Sequence, residues 1–247
     1  MAAMLKHYLA DSRAPRYSIL FALPLLLLYE AASAMLTGSA VQGVRNGADV
    51  MLKSLFVWLG GRYGLMLFGL LLLGGGAVLV WRDRRRSGEP LRAPVFGAMM
   101  AESVVYAALF GVVVGRLTAL LLSGGGLLRL QGPATLDLPT QLVVSLGAGI
   151  YEELLFRVLL VGGLLWLLRS GLRMRTGWAA AGAVVLGALI FSAFHYVGSL
   201  GDRFTLASFT FRAIAGVAFS ALYVTRGLGI TAWTHALYDL GLTLLQA

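Results

Sequence analysis

Long runs of apolar residues alternate with short polar breaks along the chain. Cutting at the breaks leaves seven stretches, near residues 18–37, 64–81, 96–122, 141–168, 178–197, 206–225 and 229–246. A helix needs about 20 residues to cross a ~30 Å hydrocarbon core, and each stretch has roughly that length. The pattern therefore predicts an all-α fold, a polytopic membrane helix bundle of about seven transmembrane helices. An eighth depends on Ala48 to Gly61, which carries Lys53 and Trp58. That segment reads either as an interfacial helix or as the start of one long span running to Trp81. The first span contains a cleavage-like Ala32-Ser33-Ala34, but a long polar region precedes it and Pro24 and Glu30 interrupt it, so an uncleaved anchor is expected.

Composition agrees with a lipid solvent. With 59% hydrophobic and 13% charged residues and a mean hydropathy of +0.83, 247 residues cannot hide their apolar surface in one soluble core. The net charge of +9 does not point to nucleic acid, because the basic residues sit in short connecting segments rather than along one polar face. Those segments orient the chain. If the N-terminus is cytoplasmic, Lys6, Arg13, Arg16, Arg82, Arg84, Arg85, Arg86, Arg92, Arg169, Arg173, Arg175 and Arg226 lie inside, and only Arg45, Lys53, Arg62, Arg129 and Arg203 lie outside. The positive-inside bias then favours an N-inside, C-outside protein, most simply one of a bacterial inner membrane. There is no cysteine, which excludes disulfides, thiol nucleophiles and Cys-ligated zinc. Glycine is abundant, at 32 residues, and Gly111 with Gly115 forms a GxxxG pair suited to close helix packing. The runs Gly74–Gly76 and Gly124–Gly126 match neither a P-loop nor a dinucleotide fingerprint.

Against this background the ionisable residues inside apolar runs stand out. Glu152 and Glu153 lie side by side between Leu142 and Leu168, with Arg157 one turn on. A charged residue at mid-bilayer costs about 2.5–3.5 kcal/mol on insertion scales, so such a group is kept only where it is paired, wetted or used. Glu153 and Arg157 share a helix face and read as a structural pair, while Glu152 points about 100° away and is left free. Phe191 and His195, and His235 and Asp239, repeat the four-residue spacing on the later spans. Glu30 and Glu102 have no local motif and read as helix-to-helix hydrogen bonds or the lining of a wet cleft. Arg116 has no assigned role.

Glu152, His195, His235 and Asp239 together suggest a polar cavity with hydrolytic chemistry. A carboxylate beside an imidazole can hold a water and remove its proton, and a second imidazole with a polar neighbour can stabilise the oxyanion formed on an amide. Neither GxSxG nor HExxH is present, so a serine hydrolase or a zincin is not indicated. If zinc were used, Glu152, His195 and His235 would supply the ligands. A metal-free mechanism is preferred.

The motifs Glu152-Glu153-xxx-Arg157, Phe191-xxx-His195 and His235-xxx-Asp239 occur in the order and approximate spacing of the CPBP family, the CAAX proteases and bacteriocin-processing enzymes also called Abi, which the region 138–247 resembles. Residues 1–137 then form N-terminal transmembrane helices without a recognised motif, ahead of a CPBP-like catalytic core. The resemblance implies an intramembrane endopeptidase acting on a membrane-anchored protein or peptide. In it, Glu152 and His195 would activate water, His235 and Asp239 would form the oxyanion site, and Glu153, Arg157 and Phe191 would support them. No cofactor is implied beyond the zinc alternative, and no nucleic acid partner. The prenyl-protein CAAX proteases carry Asn where this chain has Asp239, and an ionised Asp cannot donate to an oxyanion. Two other classes share the polar-span signature: a non-catalytic binding or immunity protein of the same fold, and an ion-coupled transporter. No inverted repeat marks the transporter.

Overall fold

The computed structural model describes residues 2–36, 45–122, 136–198 and 201–246, and among these residues every regular element is helical. A short α1 (Ala2–Arg13) precedes α2 (Pro15–Leu36). Next come α3 (Gly47–Gly60), α4 (Gly64–Gly69) and α5 (Gly75–Ser87), the last two joined through a π-helical turn at Leu70–Gly74. After α6 (Ala93–Leu121), α7 (Leu138–Gly147) runs into a long π-helical segment, Ala148–Val161, and on through α8 (Gly162–Trp166). The bundle closes with α9 (Thr176–Phe194), α10 (Leu206–Arg226) and α11 (Leu228–Gln246). The Gly124–Gly126 run and Arg129 lie outside the described residues.

Among the described residues, six helical stretches are long and apolar enough to cross a membrane: Pro15–Leu36, Gly47–Ser87, Ala93–Leu121, Leu138–Gly171, Thr176–Phe194 and Leu206–Arg226. The seventh expected span is α11, which is 19 residues long but carries His235 and Asp239 and so falls short in hydropathy. Leu27, Leu28, Leu70, Leu71, Val112 and Val113 are exposed, as lipid-facing side chains should be. The protein is an integral, multi-pass membrane protein.

The ambiguous segment at 48–61 is neither a simple interfacial helix nor the first part of a straight rod. Gly61, at φ +53°, turns the chain, and α4 folds back against α3 so closely that a Cβ at Gly64 would lie 2.2 Å from the Phe56 carbonyl oxygen. Phe56 and Phe68 then meet across this hairpin, with ring centroids 5.2 Å apart. The start of α3 is set by Asn46, whose side chain accepts a hydrogen bond from the Ala48 N–H at 2.9 Å, an N-cap for the first turn.

Polar fastenings gather at one end of the bundle. Arg16 at the start of α2 binds Asp11 at 2.9 Å and Asp83 near the end of α5 at 3.1 Å. Arg92, just before α6, reaches Asp11 as well. Arg226, the last residue of α10, donates to Glu102 at 2.6 and 2.7 Å and to Ser12 at 2.9 Å. Tyr8 donates to the same Glu102 carboxylate at 2.6 Å. Burial, helped by that carboxylate, pushes the Tyr8 phenol well up, which keeps it a donor. These contacts put α1, the starts of α2 and α6, and the ends of α5 and α10 on one side. Glu102 is therefore a helix-to-helix fastening. Glu30 is another, accepting from Lys53 at 2.7 Å and from Tyr151. Arg116 is exposed on α6.

The apolar core draws on both halves of the chain. Leu25, Tyr29, Ala48 and Leu52 from the N-terminal helices pack in one cluster with Ile150, Tyr151, Phe191 and Ala232.

Candidate active site

Glu152 and Glu153 both lie on the π-helical segment Ala148–Val161, where i→i+5 bonding widens the helix; such segments recur at functional sites. Close contact with α11 is made possible by Gly149, where a Cβ would lie 2.5 Å from the Ala236 Cβ and 2.8 Å from the Ala232 carbonyl oxygen. That crossing brings Glu153 to His235. The His235 Nδ1 lies 2.7 Å from the Glu153 Oε1, and its Nε2 lies 3.4 Å from the Asp239 Oδ2. The imidazole stacks on Phe219, with centroids 4.4 Å apart. His235 is thus held at both nitrogens by carboxylates and on one face by a ring.

Glu153 and Arg157 are both 0% exposed, and the Arg157 Nε is 3.2 Å from the Glu153 Oε2. The terminal nitrogens of Arg157 make no hydrogen bond; the guanidinium lies over Phe191 at 4.4 Å and Phe219 at 5.4 Å. Removed from water, this cation is compensated by one carboxylate and two ring faces. The pairing expected from the four-residue spacing is present, and the same carboxylate also serves His235, which the spacing alone did not reveal.

His195 caps the C-terminus of α9. Its Nδ1 lies 2.9 Å from the Phe191 carbonyl oxygen, so Nδ1 carries a hydrogen, and in the neutral imidazole Nε2 is the acceptor. Phe191 meets the imidazole edge-on at 4.8 Å. Glu152 turns away from Glu153 and accepts from the Asn46 amide nitrogen at 2.8 Å. Glu152, His195, His235 and Asp239 line one cavity of about 270 Å³, with Asp202 and Arg212 also on its wall and bonded to each other. Phe191 lines it too, whereas Glu153 and Arg157 stand behind it. A larger apolar groove of about 870 Å³ runs between α2 and α5 and ends beside Tyr151 and Leu154, without holding any of the four.

The zinc alternative can be tested on this geometry. Among the described residues, only His7, Asp11 and Glu89 bring three His or carboxylate donors within 4.8 Å of one another. Glu152, His195 and His235 are not gathered in this way, and both nitrogens of His235 already face carboxylates. The residues present do not fit a three-ligand zinc centre.

Residues 134–241 match the family model described as Rce1-like, type II CAAX prenyl endopeptidase Rce1-like. The C-terminal part of the chain is similar to this family. The matched, Rce1-like region holds every motif residue, from Glu152 to Asp239, and the family it resembles is described as one of endopeptidases. No curated protein and no solved structure matches the chain. Asn46, Glu30 and α2, α3 and α6 all lie before the Rce1-like region, yet they pack against it and one of them reaches its glutamate. Asn46 carries no motif and is 106 residues from Glu152, so only its helix-capping character is visible in sequence.

Proposed function

We propose that the protein is an intramembrane endopeptidase that hydrolyses a peptide bond by glutamate-activated water. The observation that carries this reading is the convergence of Glu152, His195, His235 and Asp239, from three separate segments, on one cavity within the Rce1-like region. Glu152 takes a proton from a water that the bare Nε2 of His195 also holds. The water oxygen forms a bond to the scissile carbonyl carbon, and charge moves onto the carbonyl oxygen. With Nδ1 of His235 donating to Glu153, one proton is held on Nε2 or on the Asp239 carboxyl, and it turns from the contact between them to the carbonyl oxygen as charge develops there. That proton is the donor offered to the oxyanion. This accounts for Asp where the CAAX prenyl proteases have Asn. The C–N bond then breaks, and Glu152 returns its proton to the leaving nitrogen. No metal takes part.

The substrate is a membrane-anchored protein or peptide cut near its embedded or C-terminal part. The cavity sits at the end of α9, whereas the basic fastenings of Arg16, Arg92 and Arg226 lie at the other end of the bundle. With the basic end cytoplasmic, the cavity faces outward, which suits removal of a C-terminal sorting helix or maturation of an exported peptide better than cytosolic CAAX processing. The apolar groove beside Tyr151 is a suitable rest for such a helix.

The test compares membranes carrying the wild type and Glu152→Ala, scoring C-termini across the membrane and surface proteome. Uncleaved anchored proteins that accumulate with the variant identify the substrate and the bond. An unchanged set of C-termini, with both proteins folded and equally abundant, overturns the reading in favour of a binding or immunity role.

A further inference from the structure

Among the described residues, Glu152 is the one cavity carboxylate with a partner from outside the Rce1-like region, and that partner is held from several sides. Asn46 is 4% exposed. Its Oδ1 accepts from the Ala48 N–H at 2.9 Å, and because a backbone N–H can only donate, the side-chain atom there must be the oxygen. The amide nitrogen is therefore the atom that faces the Glu152 Oε1 at 2.8 Å, and it must donate. The Asn46 backbone N–H in turn donates to the Tyr29 hydroxyl at 3.3 Å, and Tyr29 donates to Asp49 at 2.7 Å, so α2 and the first turn of α3 close around it. Gly147 leaves the space for this arrangement: a Cβ there would lie 2.7 Å from the Asn46 Cβ and 2.5 Å from the Tyr29 ring.

We propose that Asn46 is a positioning residue for Glu152, pinning one carboxylate oxygen with its amide so that the other is held toward the cavity to receive the water proton. A free glutamate side chain samples several rotamers, and the productive one is needed to within about 0.5 Å. Asn46 transfers no proton and touches no substrate; it acts by restricting the carboxylate. The catalytic half of this assignment rests on the endopeptidase reading, while the pinning does not. It follows that the Rce1-like region is incomplete without α3.

Because Asn46 also caps α3, the test must separate the two roles. Asn46→Ser keeps a capping hydroxyl and loses the amide donor, and Asn46→Asp keeps both shape and cap while, when ionised, offering Glu152 no hydrogen. The chain has five glutamates, so infrared spectra of full-length protein labelled with ¹³C-glutamate are simple enough to assign the Glu152 carboxylate band by difference against Glu152→Gln. The expected result is a shifted Glu152 band in both folded variants, with the thermal midpoint lowered slightly in Asn46→Ser and more in Asn46→Asp, where two carboxylates would meet. On the substrate found by the proteome comparison, kcat falls about 10–100-fold and KM changes little, since the loss is of transition-state geometry. Gly147→Ala, which displaces Asn46 without altering it, should move the same band. A band that stays in place in folded Asn46→Ser and Asn46→Asp overturns the pinning. Shifted bands together with wild-type kcat overturn the catalytic half. Shifted bands in a protein whose Glu152→Ala form leaves every C-terminus unchanged establish the pinning and sink the endopeptidase reading instead.

Discussion

Replacing Gly149 by alanine adds one methyl group where two backbones cross. The new Cβ would lie 2.5 Å from the Ala236 Cβ and 2.8 Å from both the Ala232 carbonyl oxygen and the Ala236 nitrogen. Ordinary carbon contacts are about 3.5–4.0 Å, so the shortfall is about 1 Å, and none of the three atoms belongs to a side chain that can rotate away. The π-helical segment and α11 must separate by about that much. Glu153 lies one turn beyond Gly149 and His235 is next to Ala236, so the 2.7 Å contact between them opens to about 3.7 Å, beyond hydrogen-bonding range. Overpacking of this kind costs about 1–3 kcal/mol, which a bundle of this size survives. Misplacement by ~1 Å at the reacting centre costs about 10²-fold in rate. The expected outcome in Gly149→Ala is a lowered thermal midpoint in detergent and processing slowed about 100-fold. Gly163→Ala and Gly241→Ala meet nothing within 4 Å and serve as controls, each gaining up to ~1 kcal/mol from helix propensity with processing unchanged. Wild-type processing by folded Gly149→Ala would refute the argument that this crossing sets the geometry of the site.

Glu153→Gln leaves the Arg157 cation buried without its carboxylate and should cost about 3–5 kcal/mol, read as lost folded yield; adding Arg157→Met should restore the yield but not the processing, because His235 then meets a neutral amide in place of the carboxylate. Asp239→Asn supplies an amide donor and should retain processing within about 10-fold, whereas Asp239→Ala removes one of the two groups that keep the donor proton in place and should lose about 10²–10³-fold, both measured as substrate turnover. The natural chain lacks cysteine, so Val197→Cys, at an exposed position just past His195, gives a single reporter; an impermeant thiol reagent should label it in whole cells, and labelling only after the cytoplasmic side is opened would invert the topology.

The long helices were legible because a bilayer imposes one hydropathy rule on every span. The turn at Gly61 was legible only in part: Gly60-Gly61-Arg62 marks a break in the apolar run, but that the chain folds back there rather than running on is set by a backbone angle. The π-helical character of Ala148–Val161 was not legible, because its composition is that of any buried helix. Local spacing found Glu153 with Arg157, Phe191 with His195 and His235 with Asp239. It could not find His235 with Glu153, 82 residues apart, or Arg226 with Glu102, 124 apart, because those meetings are made by helix crossings rather than by period. Asn46 was invisible for the same reason, and its place ahead of every motif hid it further.

The hairpin formed by α3 and α4 bears on how the chain enters its bilayer. Asn46 is synthesised 106 residues before Glu152, and Arg157 follows only four residues after Glu153. A carboxylate delivered alone to hydrocarbon carries the full insertion cost of about 2.5–3.5 kcal/mol. Here the first glutamate arrives where an amide from an earlier helix pair is already waiting, and the second arrives with its own cation in the next turn. Helices that assemble in the order of synthesis would thus lodge two adjacent acids inside the bundle, each with its partner at hand.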